Sequence, residues 1–278
     1  MKFNTRSFFY AMPPAWRFMV RRLYFLPLDI FERISGKRDS LTPPKGLIFT
    51  GGGDFRLAGQ KLLSYFIEFG GLQTHHFVMD VGSGIGRVAL PLTTFLDETG
   101  SYEGFDIIQL GVQWCRKNIS SKFPNFHFRY IPIENDLYRS SGQQAATFKF
   151  PYPKEHFDFV VVNSVFTHML PVQVENYLKE IARVLKKGGR CYATFFLLNE
   201  ETIAKMSSTG FDFPFNYGHY RLMDDKVKSA NVAFDEEFLK KDLLQVNGLK
   251  ITNLFYGSWR GLPKNDCKEF QDIAIFVK

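Results

Sequence analysis

The chain has 278 residues, enough to bury a large core, and 45% hydrophobic with 23% charged residues is ordinary for a soluble globular protein. Cys115, Cys191 and Cys267 lack a CxxC spacing and the six histidines lack ligand spacing, so neither a disulfide framework nor a metal site is expected, and a cytoplasmic setting follows as the default. The net charge of +7 is uneven: residues 1–45 carry +6 and the other 233 only +1, which argues against a nucleic-acid surface spread over the body.

Residues 1–45 read as a basic, aromatic arm. Phe8, Phe9, Trp16, Phe18 and Tyr24 are interleaved with Arg17, Arg21 and Arg22, which interrupt every apolar window long enough to span a bilayer. The same arginines, followed by Pro27, argue against a signal peptide. Two readings fit: an arm packed over the main domain, or a segment lying peripherally on the inner membrane surface. Arg17 and Arg21 share a helical face that Arg22 does not, so the amphipathic pattern is imperfect. Pro43-Pro44 closes the arm and leaves residues 46–278 as one domain.

Gly51-Gly52-Gly53-Asp54 comes next. Asp54 is a plausible N-cap for a helix with Ala58, Leu62, Tyr65, Phe66 and Phe69 at helical spacing, closed by Gly70-Gly71. From His76 onward strands and helices alternate. Strands are expected at 77–81, 101–105, 126–131, 157–162 and 190–196. Helices are expected at 85–96, 109–119 and 172–185, the last closed by Lys186-Lys187-Gly188-Gly189. Alternation of this kind implies an α/β, doubly wound, Rossmann-like sheet with helices on both faces. Residues 200–233 are irregular. Asp235 then caps a helix to about Val246, and strands at 250–256 and 272–277 can finish the sheet with an antiparallel edge.

The chemistry concentrates at strand ends, where ligands of open parallel sheets bind. Asp80-Val81-Gly82-Ser83-Gly84-Ile85-Gly86-Arg87 has the form of a strand breaking into a glycine turn that opens a helix, leaving backbone N–H groups for a polar ligand. Asp106 lies 20 residues beyond Gly86, where a carboxylate can hold both hydroxyls of an unphosphorylated ribose. Against the dinucleotide fingerprint the third glycine falls one position early, which disfavours a nicotinamide enzyme.

Three further stretches join this loop: Glu103-Gly104-Phe105-Asp106-Ile107, Phe157–Val162 and Glu180–Arg190. Together they resemble the class I S-adenosylmethionine-dependent methyltransferases, over roughly residues 50–278. The chain also resembles a bacterial subgroup of unassigned acceptor, with Gly51-Gly52-Gly53-Asp54-Phe55 upstream and Ser164–Pro171 after strand four. The resemblance implies a seven-stranded, mostly parallel sheet in the order 3-2-1-4-5-7-6, strand seven antiparallel, with the arm as an N-terminal helical extension. It implies S-adenosyl-L-methionine as cofactor. Gly82, Ser83, Gly84 and Gly86 would hold its methionine part, Asp80 its ammonium, and Asp106 with Ile107 the ribose. Glu134 would edge the adenine, with Asn163 and Ser164 bordering the reacting group. Pro132 stands where relatives often place an aspartate, a departure at the adenine edge.

Methyl transfer from a sulfonium is an in-line displacement that rests mainly on positioning. His168, just beyond strand four, is the candidate general base for a hydroxyl acceptor, with His219 and Tyr220 as weaker candidates and Trp259 as a candidate wall of the acceptor pocket. Asn163-Ser164-Val165-Phe166 lacks the two prolines of base-amine methyltransferases, which with the neutral body disfavours nucleic acid. The acceptor expected is a small, quinone-like or lipid- or glycan-associated molecule. The alternatives are a catalytically silent membrane-surface module on the same fold and an NAD-dependent oxidoreductase.

Overall fold

The computed structural model describes residues 14–49, 51–139 and 141–278. A long helix, α1 (Pro14–Ile34), precedes α2 (Phe55–Glu68), whose start is fixed by Asp54 accepting the Leu57 N–H at 2.8 Å. The alternating region follows as β1 (Phe77–Val81), α3 (Ala89–Phe95), β2 (Ser101–Asp106), α4 (Gln109–Cys115), β3 (Phe126–Tyr130), β4 (Phe157–Val162), α5 (Pro171–Val184) and β5 (Leu185–Phe195). β10 (Lys250–Phe255) and β11 (Asp272–Val277) end the chain.

These strands form one seven-stranded sheet in the order β10-β11-β5-β4-β1-β2-β3, parallel except for β11, which runs antiparallel to both neighbours. With β11 as the seventh strand and β10 as the sixth, this is the expected order. Side chains alternate across the sheet as period two requires. Met79, Val81, Val160 and Val162 pack with Val174, Leu178 and Ile181 of α5 on one face. Val78, Phe159 and Val161 pack with Phe66 of α2, Leu92 of α3 and Val112 of α4 on the other.

Two expectations need correction. Residues 186–189 do not close α5 but run within β5, because Lys278 pairs with them: Gly188 N–H donates to the Lys278 carbonyl at 3.0 Å, and Lys278 N–H to Gly189 at 3.1 Å. Residues 200–233 are not irregular throughout. β6 (Leu197–Leu198), β7 (Phe215–Asn216), β8 (Tyr220–Leu222) and β9 (Val232–Asp235) make a second sheet in the order β6-β9-β8-β7, with a short α6 (Glu200–Lys205) between β6 and β7. Strands of two to four residues carry too little alternation to register in sequence.

Candidate functional site

β1 and β2 pair with Asp80 opposite Gly104 and Val81 opposite Phe105, so both strands end level and open into a cleft at their carboxyl ends. The turn after β1 is anchored to β2: the Gly82 and Ser83 N–H groups both donate to the Phe105 carbonyl, at 2.9 and 3.0 Å. Gly82 and Gly84 have φ of 80° and 56°, and a Cβ on Gly82 would lie 2.4 Å from Val165 Cγ2. Only glycine satisfies both the angle and the space.

Two carboxylates face this turn. Asp80 is buried and accepts the Tyr102 hydroxyl at 2.6 Å; burial, reinforced by Asp106, pushes its pKa up to about 7. Asp106 accepts the Gly84 N–H at 2.7 Å through one oxygen and the Ile108 N–H at 2.6 Å through the other. Burial still outweighs those backbone bonds and raises its pKa to about 6. The Ser83 hydroxyl, also buried in the cleft wall, has no hydrogen-bond partner among the described residues. Buried polar groups ordinarily find one.

Ile107, Glu134, Asn163, Ser164 and His168 line the same cleft as Asp80, Gly82, Ser83, Gly84 and Asp106. Gly86 does not. Its φ is 84°, and a Cβ there would meet Ile119 Cδ1 at 2.9 Å and Cys115 Sγ at 3.0 Å, so Gly86 lets α4 and the turn after it pack beneath the loop. Ser164 holds a left-handed φ of 59°, with its N–H bonded to Thr194 Oγ1 at 2.7 Å and its hydroxyl to Gln271 at 2.9 Å. A non-glycine residue held there stores local strain, and these two bonds maintain it.

His168 is half-buried. Its Nδ1 lies 2.8 Å from the Ser229 carbonyl, an atom that can only accept, so Nδ1 carries the proton and Nε2 keeps its lone pair. Burial lowers the His168 pKa, which favours this neutral form. Tyr138, Gln173 and Tyr177 complete that side of the cleft. None was read from sequence, although the four-residue spacing of Gln173 and Tyr177 on a helix is a signal that both face one way.

Three weaker candidates lie elsewhere. Trp259 is buried, its indole N–H donating to Asp272 at 2.9 Å, and it packs the second sheet rather than walling an acceptor. His219 stacks on Phe238, and Tyr220 stacks on Tyr217. Of the three successive glycines, Gly51 approaches a cleft residue: a Cβ there would lie 2.9 Å from the Arg87 guanidinium, which also sits over the Phe55 ring, and both Gly51 and Arg87 line the cleft.

A glycine turn at the switch point of a doubly wound sheet, faced by two buried carboxylates, defines a site for a nucleoside-type cofactor with a cationic group. A family model for a methyltransferase domain matches residues 79–193. The ubiquinone/menaquinone biosynthesis C-methyltransferase UbiE of Pseudomonas fluorescens is 24% identical over 236 residues, covering 81% of each chain. The tRNA N(3)-cytidine methyltransferase METTL2 of Gallus gallus is 25% identical over 141 residues, which is 48% of this chain and 34% of that relative, so the chain spans about a third of its length. Among solved structures, the PH0226 protein of Pyrococcus horikoshii superposes with a TM-score of 0.52 at 12% identity, over 89% of this chain and 98% of its own. The [4+2]-cyclase SpnF does so at 0.51 and 15%, over 94% and 95%, and these likenesses show a common fold. Residues 79–193 thus match a methyltransferase domain, and the likeness to UbiE supports the class I S-adenosylmethionine-dependent methyltransferases.

S-adenosylmethionine is the cofactor of that class, and the residues present fit it. The unpartnered Ser83 hydroxyl and the side-chain-free wall at Gly82 and Gly84 leave room and polarity for its methionine part. Two carboxylates with raised pKa values are the groups a cation would ionise. Cofactor binding is therefore expected to release protons near pH 6–7, with affinity rising from pH 5.5 to 8. Calorimetry in two buffers of different ionisation enthalpy measures that release, and identical heats in both would contradict it. The stability of the cofactor-free protein runs the opposite way with pH. An acid whose folded pKa is raised favours the fold most below its unfolded value, and this contribution is lost as pH rises through 6 to 7 in the cofactor-free protein.

Proposed function

We propose that the protein transfers the methyl group of S-adenosylmethionine to a small, neutral, quinone-like or lipid-associated acceptor. The observation that supports this most directly is the composition of the cleft wall at Tyr138, His168, Met169, Gln173 and Tyr177, which joins apolar and aromatic surface to uncharged polar tips. Such a wall suits an amphiphilic ring better than a polyanion. The similarity to UbiE, whose name places it in ubiquinone and menaquinone biosynthesis, supports the same class. Fold alone does not decide it, since a cyclase shares this architecture.

When bound, the cofactor supplies an electrophilic methyl on a positively charged sulfur. In this reading Asp80 balances the ammonium, Gly82, Ser83 and Gly84 hold the methionine part, and Asp106 with Ile107 holds the ribose. Glu134 edges the adenine. Asn163 and Ser164 border the reacting group. His168 presents Nε2 to the acceptor, and the Ser229 carbonyl fixes the ring and its tautomer, so that a hydroxyl can lose its proton as the new bond forms. The rest of the rate comes from holding nucleophile and methyl collinear and close.

The test is transfer of a labelled methyl from cofactor into lipid and small-molecule extracts, with thermal shift by S-adenosylhomocysteine run in parallel. A shift without labelled product would favour a silent binding module over an enzyme. With a product in hand, His168→Ala should lower kcat by about a hundredfold while cofactor affinity stays within about twofold. The wild-type rate should fall on acidification only below the ordinary histidine range, because burial lowers the His168 pKa. An unchanged kcat would remove His168 from the chemistry.

A further inference from the structure

Helix α1 is built inside out. Trp16, Val20, Leu23, Pro27, Ile30 and Ile34 recur at three- and four-residue intervals, so they form one line along the helix, flanked by Tyr24 and Phe31, and all are exposed. Trp16, Leu23, Tyr24, Phe31 and Ile34 are each more than half exposed. Arg17, Asp29 and Glu32 point the other way. Arg17 donates to the Leu137 carbonyl at 2.8 Å, and Asp29 accepts the Lys45 and Gly46 N–H groups at 2.6 and 2.9 Å. Glu32 pairs with Lys45 at 2.7 Å. The body thus holds the helix by its charges and leaves an apolar stripe about 30 Å long facing outward. A patch of that size marks an interaction surface.

We propose that this face seats the protein on an anionic lipid bilayer. The charge around the stripe selects this occupant. Arg22, Arg33 and Lys37 are exposed beside it, with the Lys37 ammonium 5.2 Å from the Phe31 ring centre, so cations rim an apolar surface that carries Trp16 and Tyr24. Apolar and aromatic residues enter the headgroup region while the rim meets lipid phosphates. A second copy would instead bring one +6 segment against another. No helix among the described residues is long and apolar enough to cross a membrane, consistent with a helix that lies on the surface.

The helix also touches the site. Phe18 packs edge-on against Phe49 at 5.5 Å, Arg17 holds Leu137 beside Tyr138, and both Phe49 and Tyr138 line the cleft. A bilayer-seated helix therefore bears directly on the cleft wall assigned to a lipid-associated acceptor, and this last link rests on the proposed function.

Co-sedimentation of the full chain with vesicles of phosphatidylcholine, alone or with about 30% phosphatidylglycerol, tests the proposal. Binding should be about tenfold tighter to the anionic vesicles and weaken in about 0.5 M salt. The double variant Leu23→Glu/Ile30→Glu should lose about tenfold on both vesicles, whereas Arg22→Glu/Arg33→Glu should lose only the anionic increment. Both variants alter exposed side chains, and an unchanged thermal shift with S-adenosylhomocysteine will show that fold and cofactor site are intact. Equal sedimentation of wild type and Leu23→Glu/Ile30→Glu overturns the proposal. So does a wild type that ignores all vesicles and runs as a dimer broken by that variant, which assigns the face to a second copy. Loss of the thermal shift in a wild type that still binds lipid would count against the proposed function and leave this proposal standing.

Discussion

Asp106→Ala is expected to weaken S-adenosylhomocysteine binding by about a hundredfold, measured by calorimetry. The carboxylate accepts backbone bonds from Gly84 and Ile108, one on each oxygen, and Asp106 lines the cleft, so it can accept further hydrogen bonds there. Hydrogen bonds to a charged partner contribute about 1.5–3 kcal/mol each, and about 1.4 kcal/mol is a factor of ten, so losing two ribose bonds amounts to roughly a hundredfold. Asp106→Asn should not rescue the loss. An amide can accept from Ile108 or from Gly84 but not from both, because its nitrogen would face an N–H. A 2′-deoxy analogue of S-adenosylhomocysteine separates the ribose role from the loop-anchoring role. Wild type should lose about tenfold on the analogue, and Asp106→Ala should not distinguish the two ligands. Wild type binding both ligands equally would leave Asp106 as an anchor for the loop alone.

The second large effect is expected at Gly111, a position in α4 with no motif around it. A Cβ there would lie 2.3 Å from the Gly84 carbonyl oxygen and 2.9 Å from its carbon, both backbone atoms of the cofactor turn. In an isolated helix, glycine to alanine would stabilise by about 1 kcal/mol. Here the added methyl forces α4 away from the loop, a form of overpacking that costs about 1–3 kcal/mol. Gly111→Ala should therefore lower stability by about 2 kcal/mol in urea denaturation and weaken cofactor binding by about tenfold as Gly84 shifts. Gly52→Ala is the control, since a Cβ there meets nothing within 4 Å among the described residues. Unchanged stability and affinity for Gly111→Ala would show that the helix yields without disturbing the turn.

These two residues also mark how far the sequence could be read. Asp106 was visible because strand ends and glycine turns impose a spacing that survives without tertiary information. Gly111 was not, since helix-to-loop contact across 27 residues leaves no local pattern. The same holds for Phe49, Tyr138 and Tyr177, which reach one cleft from three separate segments. Gly86 shows the converse: it is legible in the motif, while only the structure shows that its missing side chain makes room for Ile119 and Cys115. Trp259 admits two readings in sequence for a related reason. Its aromatic character fits a pocket wall as well as a core, and the Asp272 carboxylate decided for the core.

By itself the sequence determined the fold class, the strand order through its resemblance, and the glycine turn with Asp106 beside it, because apolar periodicity and glycine spacing are local constraints. The tertiary structure alone decided which face of α1 is exposed. In sequence the helix is a mixture of arginines and aromatics with no clear side. Arg17 and Asp29 turn inward because they find partners on the Leu137 loop and at Lys45–Gly46. An unpaired buried charge would cost more than an exposed apolar stripe, so distant backbone groups set the direction in which this helix faces.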